Sequence, residues 1–291
     1  MRFQFIDDQR NAFPVRRMCN ELNVSPSGYY AWCKRPPSTR EMANQELYTK
    51  IKAVYDDNHG VYGSPRIYRE LKDQGIACSQ NRIARLMRLR GLRAKQTKRF
   101  RSTTKRNQAH PVAPNLLKRH FVAERPNQKW LTDITYIPTQ EGWLYLAAIL
   151  DLYTRRIVGW AMSDRMTSDL TISALKMALQ QYQPMSGLLH HSDQGSQYTD
   201  RNYQALLKDH GIQASMNSVG SWYDNAPMES FFGTLKSELV HHRAYQTRDE
   251  ARNDLFFYVE AFYNRRRRHS ALDYLSPHTY EHLYYQERQF H

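Results

Sequence analysis

Trp130-Leu131-Thr132-Asp133-Ile134-Thr135-Tyr136-Ile137 decides how this chain is read. β-branched and aromatic residues dominate the stretch, and it alternates in the period of two that marks a strand. Asp133 is out of keeping with it. A carboxylate inside a strand, with Leu131 and Ile134 nearby, is costly to bury unless a protein cation or a metal ion meets it. Pro138 to Gly142 then reads as a turn, Trp143 to Leu150 as a buried apolar strand and Ile157 to Met162 as a third strand, an antiparallel meander. Helical spacing follows over Thr167–Tyr182, a short strand over Leu188–His191, a helix over Tyr203–His210, a strand over Gln213–Met216 and a helix over Pro227–Val240. The order β-β-β-α-β-α-β-α predicts an α/β fold of the α+β kind, a mixed sheet covered by helices, over residues 123–285 with a helical C-terminal extension.

Upstream of that stretch the pattern is helical and basic. Between Arg82 and Arg106 stand Arg82, Arg85, Arg88, Arg90, Arg93, Lys95, Lys98, Arg99, Arg101, Lys105 and Arg106, with no acidic residue among them. Such a run repels itself unless an anion neutralises it, so phosphate contact is the expected use. Three helical segments precede or carry the run. Glu46–Asn58 has inward Leu47, Ile51, Val54 and Tyr55; the next starts near Ser64 with Pro65 at its first position; the third is capped by Ser79, with Ile83, Leu86, Met87 and Leu89 inward. A basic helix after a short turn is what a recognition helix in a DNA groove requires, so residues 41–100 are expected to form a helix-turn-helix domain. Residues 1–40, with Val15–Leu22 at helical spacing and turn chemistry at Asn23–Gly28, suggest a smaller helical unit of similar kind. Residues 101–122, basic and interrupted by Pro111 and Pro114, read as a linker.

Composition narrows the partner. The 291 residues carry 42 Lys and Arg against 28 Asp and Glu, a net +14, which favours a polyanion. The membrane reading needs an anchor; no apolar run approaches the roughly 18 residues of a spanning helix and the N-terminus has no signal-peptide core, so nucleic acid is the expected polyanion. The three cysteines, Cys19, Cys33 and Cys78, form no CxxC pair, so they are expected as plain thiols in a reducing cytoplasm.

Asp193 closes the fourth strand and Glu229 sits one turn into the helix that begins at Pro227. Two-metal phosphoryl transfer needs several carboxylates converging on hard cations, and a central strand, a neighbouring strand end and a crossing helix can supply them at one sheet edge. Thirty-five residues, 194–228, separate Asp193 from Glu229, and Lys236 lies seven residues further on the same helical face. This pattern resembles the D-D-35-E signature of the retroviral integrase superfamily, with its RNase H-like fold. More narrowly the chain resembles the OrfB-type transposases of the insertion-sequence-three family. The matching strings are Trp130–Tyr136, His191-Ser192-Asp193-Gln194-Gly195-Ser196-Gln197-Tyr198, Asp224-Asn225-Ala226-Pro227-Met228-Glu229-Ser230-Phe231-Phe232, and Tyr263-Asn264-Arg265-Arg266-Arg267-Arg268-His269-Ser270-Ala271-Leu272.

The resemblance implies that Asp133, Asp193 and Glu229 are catalytic and ligate two Mg²⁺ or Mn²⁺ ions, with Lys236 touching DNA near the scissile bond. It implies nicking at the element's ends and 3′-OH attack on double-stranded target DNA, with no covalent protein–DNA intermediate. At least a dimer, an upstream-frame transposase protein as partner, and a nucleoid-associated place in the bacterial cytoplasm are further implications. Arg265, Arg266, Arg267 and Arg268 form a second candidate phosphate surface; the plainer reading is dipole stabilisation at the end of an Asp249–Asn264 helix. Asp151 and Asp224 are expected to cap a turn and the Pro227 helix, and His190 and His191 to pack around the site. Two rival functions remain open: a DNA-binding regulator without activity unless its upstream-frame partner is present, and an RNase H-type nuclease that cuts without joining.

Overall fold

The computed structural model describes residues 1–95, 113–217 and 224–289. Three short helices open the chain: α1 (Arg2–Gln9), α2 (Val15–Glu21) and α3 (Pro26–Lys34). They enclose a small core of Ile6, Met18, Cys19 and Tyr29. Ser25 accepts from the Gly28 amide and starts α3 at Pro26, inside the stretch expected to be a turn. Helix α4 (Thr39–Asp57) is longer than the apolar spacing indicated, because Ser38 and Glu41 form a reciprocal capping box ahead of its first buried residue. A boundary between residues 40 and 41 therefore falls inside its first turn.

Helices α5 (Ser64–Asp73) and α6 (Gln80–Leu89) complete the second unit. Ser79 caps α6, and Ile67, Leu71, Ile83, Leu86 and Met87 are buried against Leu47, Ile51 and Val54 of α4. Leu89, expected inward, is 70% exposed. The cysteines are free thiols.

The third unit is built on a five-stranded sheet of β1 (Lys129–Thr139), β2 (Gly142–Asp151), β3 (Ile157–Ser163), β4 (Leu189–Ser192) and β5 (Gln213–Met216). Its order is β3-β2-β1-β4-β5; β1, β2 and β3 pair antiparallel, while β4 and β5 run parallel to β1. Helices α7 (Ser168–Tyr182) and α8 (Arg201–Asp209) cover one face, where they bury Trp130, Ala147 and Ile149. The other face buries Leu131, Ile137, Leu144, Leu146, Ala148 and Leu150 beneath α9 (Ala226–Glu238) and α10 (Arg248–Phe257). The two sets alternate along the strands, so β2 is apolar throughout because both its faces are covered. At Gly159 in β3 the helix comes so close that a Cβ would lie 2.4 Å from the Ala174 carbonyl oxygen of α7. A methyl there would push α7 off the sheet.

Four sequence expectations need correction. The Asp249–Asn264 helix is α-helical only to Phe257; Tyr258–Tyr263 is π-helical. The wider turn ends at buried Asn264, whose amide exchanges two hydrogen bonds with the Ile157 backbone of β3, at 2.9 and 3.0 Å. Asp224 is not the N-cap of α9, which is Asn225; it accepts from Asn115 (2.8 Å) and Arg119 (3.0 Å). The last part of the supposed linker is packed. Leu117 is buried, and Ser215 of β5 accepts from the Leu116 and Leu117 amides. Residues 101–112 lie outside those described. Finally, Pro138 stays in β1 in register with Trp143, at an edge that β4 does not reach, so no β4 ladder bond needs its missing N–H. The chain ends in α11 (Pro277–Gln289), where Glu281 pairs with buried Arg156.

Candidate active site and DNA-facing surface

Strand β1 pairs with β4 only from Lys129 to Leu131, so its edge is free of β4 from Thr132 onward, until Thr139 bridges to Tyr245. The start of α9 occupies that opening: the Asn225 side-chain amide donates to the Thr132 carbonyl at 3.1 Å. This bond ties the first turn of α9, which carries Glu229, next to Asp133. Asp193 follows the last residue of β4, one strand over. Asp133 Oδ1 accepts from the Ile134 amide at 2.8 Å and Asp193 Oδ1 from the Gly195 amide at 2.9 Å. Each carboxylate is thereby oriented by a backbone amide.

Electrostatics describe the gathering. Burial pushes the Asp133 carboxyl up to about 8, the Asp193 charge adds to this, and Glu229 contributes further; the Ile134 amide and Lys236 oppose. Burial also raises Asp193, and partial desolvation raises Glu229, whose side chain is still exposed at the rim of the site. Lys236 is displaced downward by burial, against the pull of Asp133. Three like charges with a single lysine among the named influences make an excess of negative charge, which a cation relieves. The donors are all carboxylate oxygens, the type magnesium and manganese take. Among the described residues, however, no three His, Cys, Asp or Glu side chains close tightly around one point. The set fits a divalent ion in donor chemistry and charge.

Lys236 is buried on α9, and its ammonium lies 4.6 Å from the centroid of Tyr136. Tyr136 and Trp143, both exposed, meet edge to face at 4.9 Å. His191 is not a metal ligand here, since its ring nitrogens bond Ser215 (2.9 Å) and Asn217 (2.7 Å). His190 bonds Tyr203 at 3.1 Å, and burial pushes it down to about 3, so it packs as a neutral ring. Asp151 does hold a turn, accepting from Thr154 and from the Asn127 amide. Asn225 was missed by spacing and composition. Its only sequence signal is its place four residues before Glu229.

The basic residues divide. Arg85, Arg88, Arg90 and Arg93 are exposed on or just after α6; Arg82 is half-buried and donates to Asn44 at 2.9 Å. A groove lined by Thr39, Arg40, Ala43, Asn81, Arg82 and Arg85 opens beside them. Lys95 turns inward and donates to the Glu238 carbonyl at 3.1 Å. Lys98, Arg99 and Arg101 lie outside the described residues. Arg265 and Arg266 are exposed, but Arg267 is buried in a bidentate pair with Glu238 (2.7 and 2.8 Å). Arg268 pairs with Glu70 and, at 2.7 Å, with Asp73. For Arg267 and Arg268 the phosphate reading is therefore corrected, because acidic residues within the protein hold their guanidinium groups, and Lys95 gives one N–H to a carbonyl within the protein.

A helix-turn-helix ahead of a mixed sheet of this order, with acidic residues at its open edge, defines a class of enzymes that act on DNA strands. Family models agree: an HTH-like domain matches residues 42–100, and integrase core domains match 123–221 and 229–283. The chain is 47% identical to the insertion element IS600 uncharacterized 31 kDa protein of Shigella sonnei, covering 92% of this chain and 99% of that one. It is 42% identical to transposase InsF for insertion sequence IS3A of Escherichia coli (strain K12), covering 97% and 98%. A chain of the simian T-cell lymphotropic virus intasome shows a looser likeness, with TM-score 0.48 and 14% identity over 80% of this chain and 74% of that one. The chain belongs to the IS3-type transposase family, DNA transposases with a DDE-type polynucleotidyl transferase core. No helix among the described residues is long and apolar enough to cross a membrane.

Proposed function

We propose that Asp133, Asp193 and Glu229 are the catalytic carboxylates of this transposase and hold two Mg²⁺ or Mn²⁺ ions. The observation that carries the reading is the crowding at Asp133, a half-buried carboxylate pushed up to about 8 by burial and by two like charges. Ions bound there supply Lewis acidity to the attacking and leaving oxygens of an in-line displacement. The protein's own part is positional. The Ile134 and Gly195 amides orient the two aspartates, Asn225 holds the helix that brings Glu229, and Lys236 meets a phosphate beside the scissile bond. Arg82, Arg85, Arg88, Arg90 and Arg93, with Arg265 and Arg266, hold the DNA backbone, so that a freed 3′-OH is delivered in line.

Two element ends must be held together, so the working form is at least a dimer. It acts at the nucleoid in the bacterial cytoplasm, with an upstream-frame transposase protein as a further partner. Labelled DNA carrying the element's ends, incubated with the protein and Mg²⁺, tests the proposal. Joined products confined to element ends are expected; nicks without joining indicate a nuclease. End-specific binding with neither product indicates a regulator awaiting its upstream partner.

A further inference from the structure

We infer that Glu238 and Arg267 are positioning residues for strand cleavage: they fix, from behind, the helix whose front carries Glu229, and the helix-turn-helix domain closes the joint. The inference rests on the reading of Glu229 given above. Glu238 lies nine residues after Glu229 on α9, and at about 100° per residue that is half a turn round, on the opposite face. Its carboxylate is buried and fully engaged. Oε2 accepts from the Tyr258 hydroxyl at 2.7 Å and from Arg267 Nε at 2.8 Å, and Oε1 accepts from Arg267 Nη2 at 2.7 Å. A two-pronged guanidinium–carboxylate pair fixes rotation as well as distance.

The DNA-binding domain reaches the same spot. Arg66 of α5 brings Nη1 to 4.0 Å from Glu238 Oε1. Lys95 donates to the Glu238 carbonyl, placing a cation on the last turn of α9, where the helix dipole favours one. Around this point the two domains are stitched by neighbouring residues of the arginine run. Tyr62 donates to the Arg266 carbonyl (3.2 Å) and accepts from the Arg268 amide (2.9 Å), and Arg268 reaches Glu70 and Asp73 of α5. A movement of the helix-turn-helix on DNA therefore draws Arg66 and Lys95 away from the end of the helix that presents Glu229. Seating of the DNA-binding domain and placement of Glu229 are one mechanical system.

The test uses the full chain with three variants, Glu238→Gln, Arg267→Lys and Arg66→Gln. Single-turnover cleavage at saturating end DNA, end-DNA Kd and amide exchange over residues 226–238 in metal-free protein are measured for each. A displaced catalytic group costs about tenfold to a hundredfold in rate. That loss is expected for Glu238→Gln, with smaller losses for Arg267→Lys and Arg66→Gln, Kd within about twofold and faster exchange confined to α9. Should Glu238→Gln fail to fold, Arg66→Gln, at the rim of the joint, carries the test with its smaller expected loss. Wild-type cleavage rates and α9 exchange in folded variants overturn the inference, as does a loss appearing in Kd alone. Glu229→Gln is run beside them: if it still cleaves, the assignment of Glu229 fails and not the joint.

Discussion

The two faces of α9 treat a carboxylate in opposite ways. At the back, Glu238 has an arginine in bidentate contact, a tyrosine hydroxyl and a second arginine nearby. At the front, Glu229 joins Asp133 and Asp193 in a group whose shifts are all upward, with Lys236 as the opposing cation. A carboxylate matched by protein cations is part of the structure. A set left with uncompensated charge is a receptor for a cation from outside.

The largest effect expected from breaking this contrast is at the back. Arg267→Ala takes the bidentate partner from buried Glu238 and leaves it the Tyr258 hydroxyl and Arg66 at 4.0 Å, a loss that costs up to about 3–5 kcal/mol. Urea unfolding at pH 7 measures it, and a loss below 1 kcal/mol shows that the pair is not what holds this face. At the front the opposite sign is expected. Asp133 has a folded-state value, about 8, above its ordinary 3.8, so the folded protein holds that proton more tightly than the unfolded chain. The cost of charging it is absent below 3.8, grows between 3.8 and 8, and is complete above 8. Metal-free Asp133→Asn is therefore expected to be more stable than wild type at pH 8, by on the order of 1–3 kcal/mol, and no different near pH 4. Equal unfolding curves at pH 8 sink that account of the front face.

A third expectation concerns cations that meet no acidic partner inside the protein. Arg85→Ala and Arg88→Ala are expected to leave Tm unchanged. Each weakens DNA binding and lowers the slope of log Kd against log salt by about one. Unaltered slopes move the DNA surface elsewhere.

Much of this was legible in the sequence. Strand β2 was, because covering on both faces leaves it apolar; it reads from Trp143 to Leu150 and runs from Gly142 to Asp151. The candidate carboxylates stood out through one oddly placed aspartate and a spacing of 35. What escaped depends on partners far away in the chain. Arg265–Arg268 looks uniform as a string, yet Arg267 is taken by Glu238, 29 residues away, and Arg268 by Glu70, 198 away. Asp224 resembles a cap until Arg119, 105 residues upstream, claims it. The π-helical turn before Asn264 is likewise set by contact with β3. Local patterning determines which residues are buried; it does not choose among cations for a buried carboxylate.

The most direct test of the central claim is single-turnover cleavage of element-end DNA in Mg²⁺ by wild type, Asp133→Asn, Asp193→Asn and Glu229→Gln, each checked for folding and DNA Kd. The account predicts that all three variants bind the end as wild type does and lose cleavage by about a thousandfold or more. Cleavage at the wild-type rate by any one of them would contradict the assignment of the front face of α9 and the strand ends beside it as the catalytic centre.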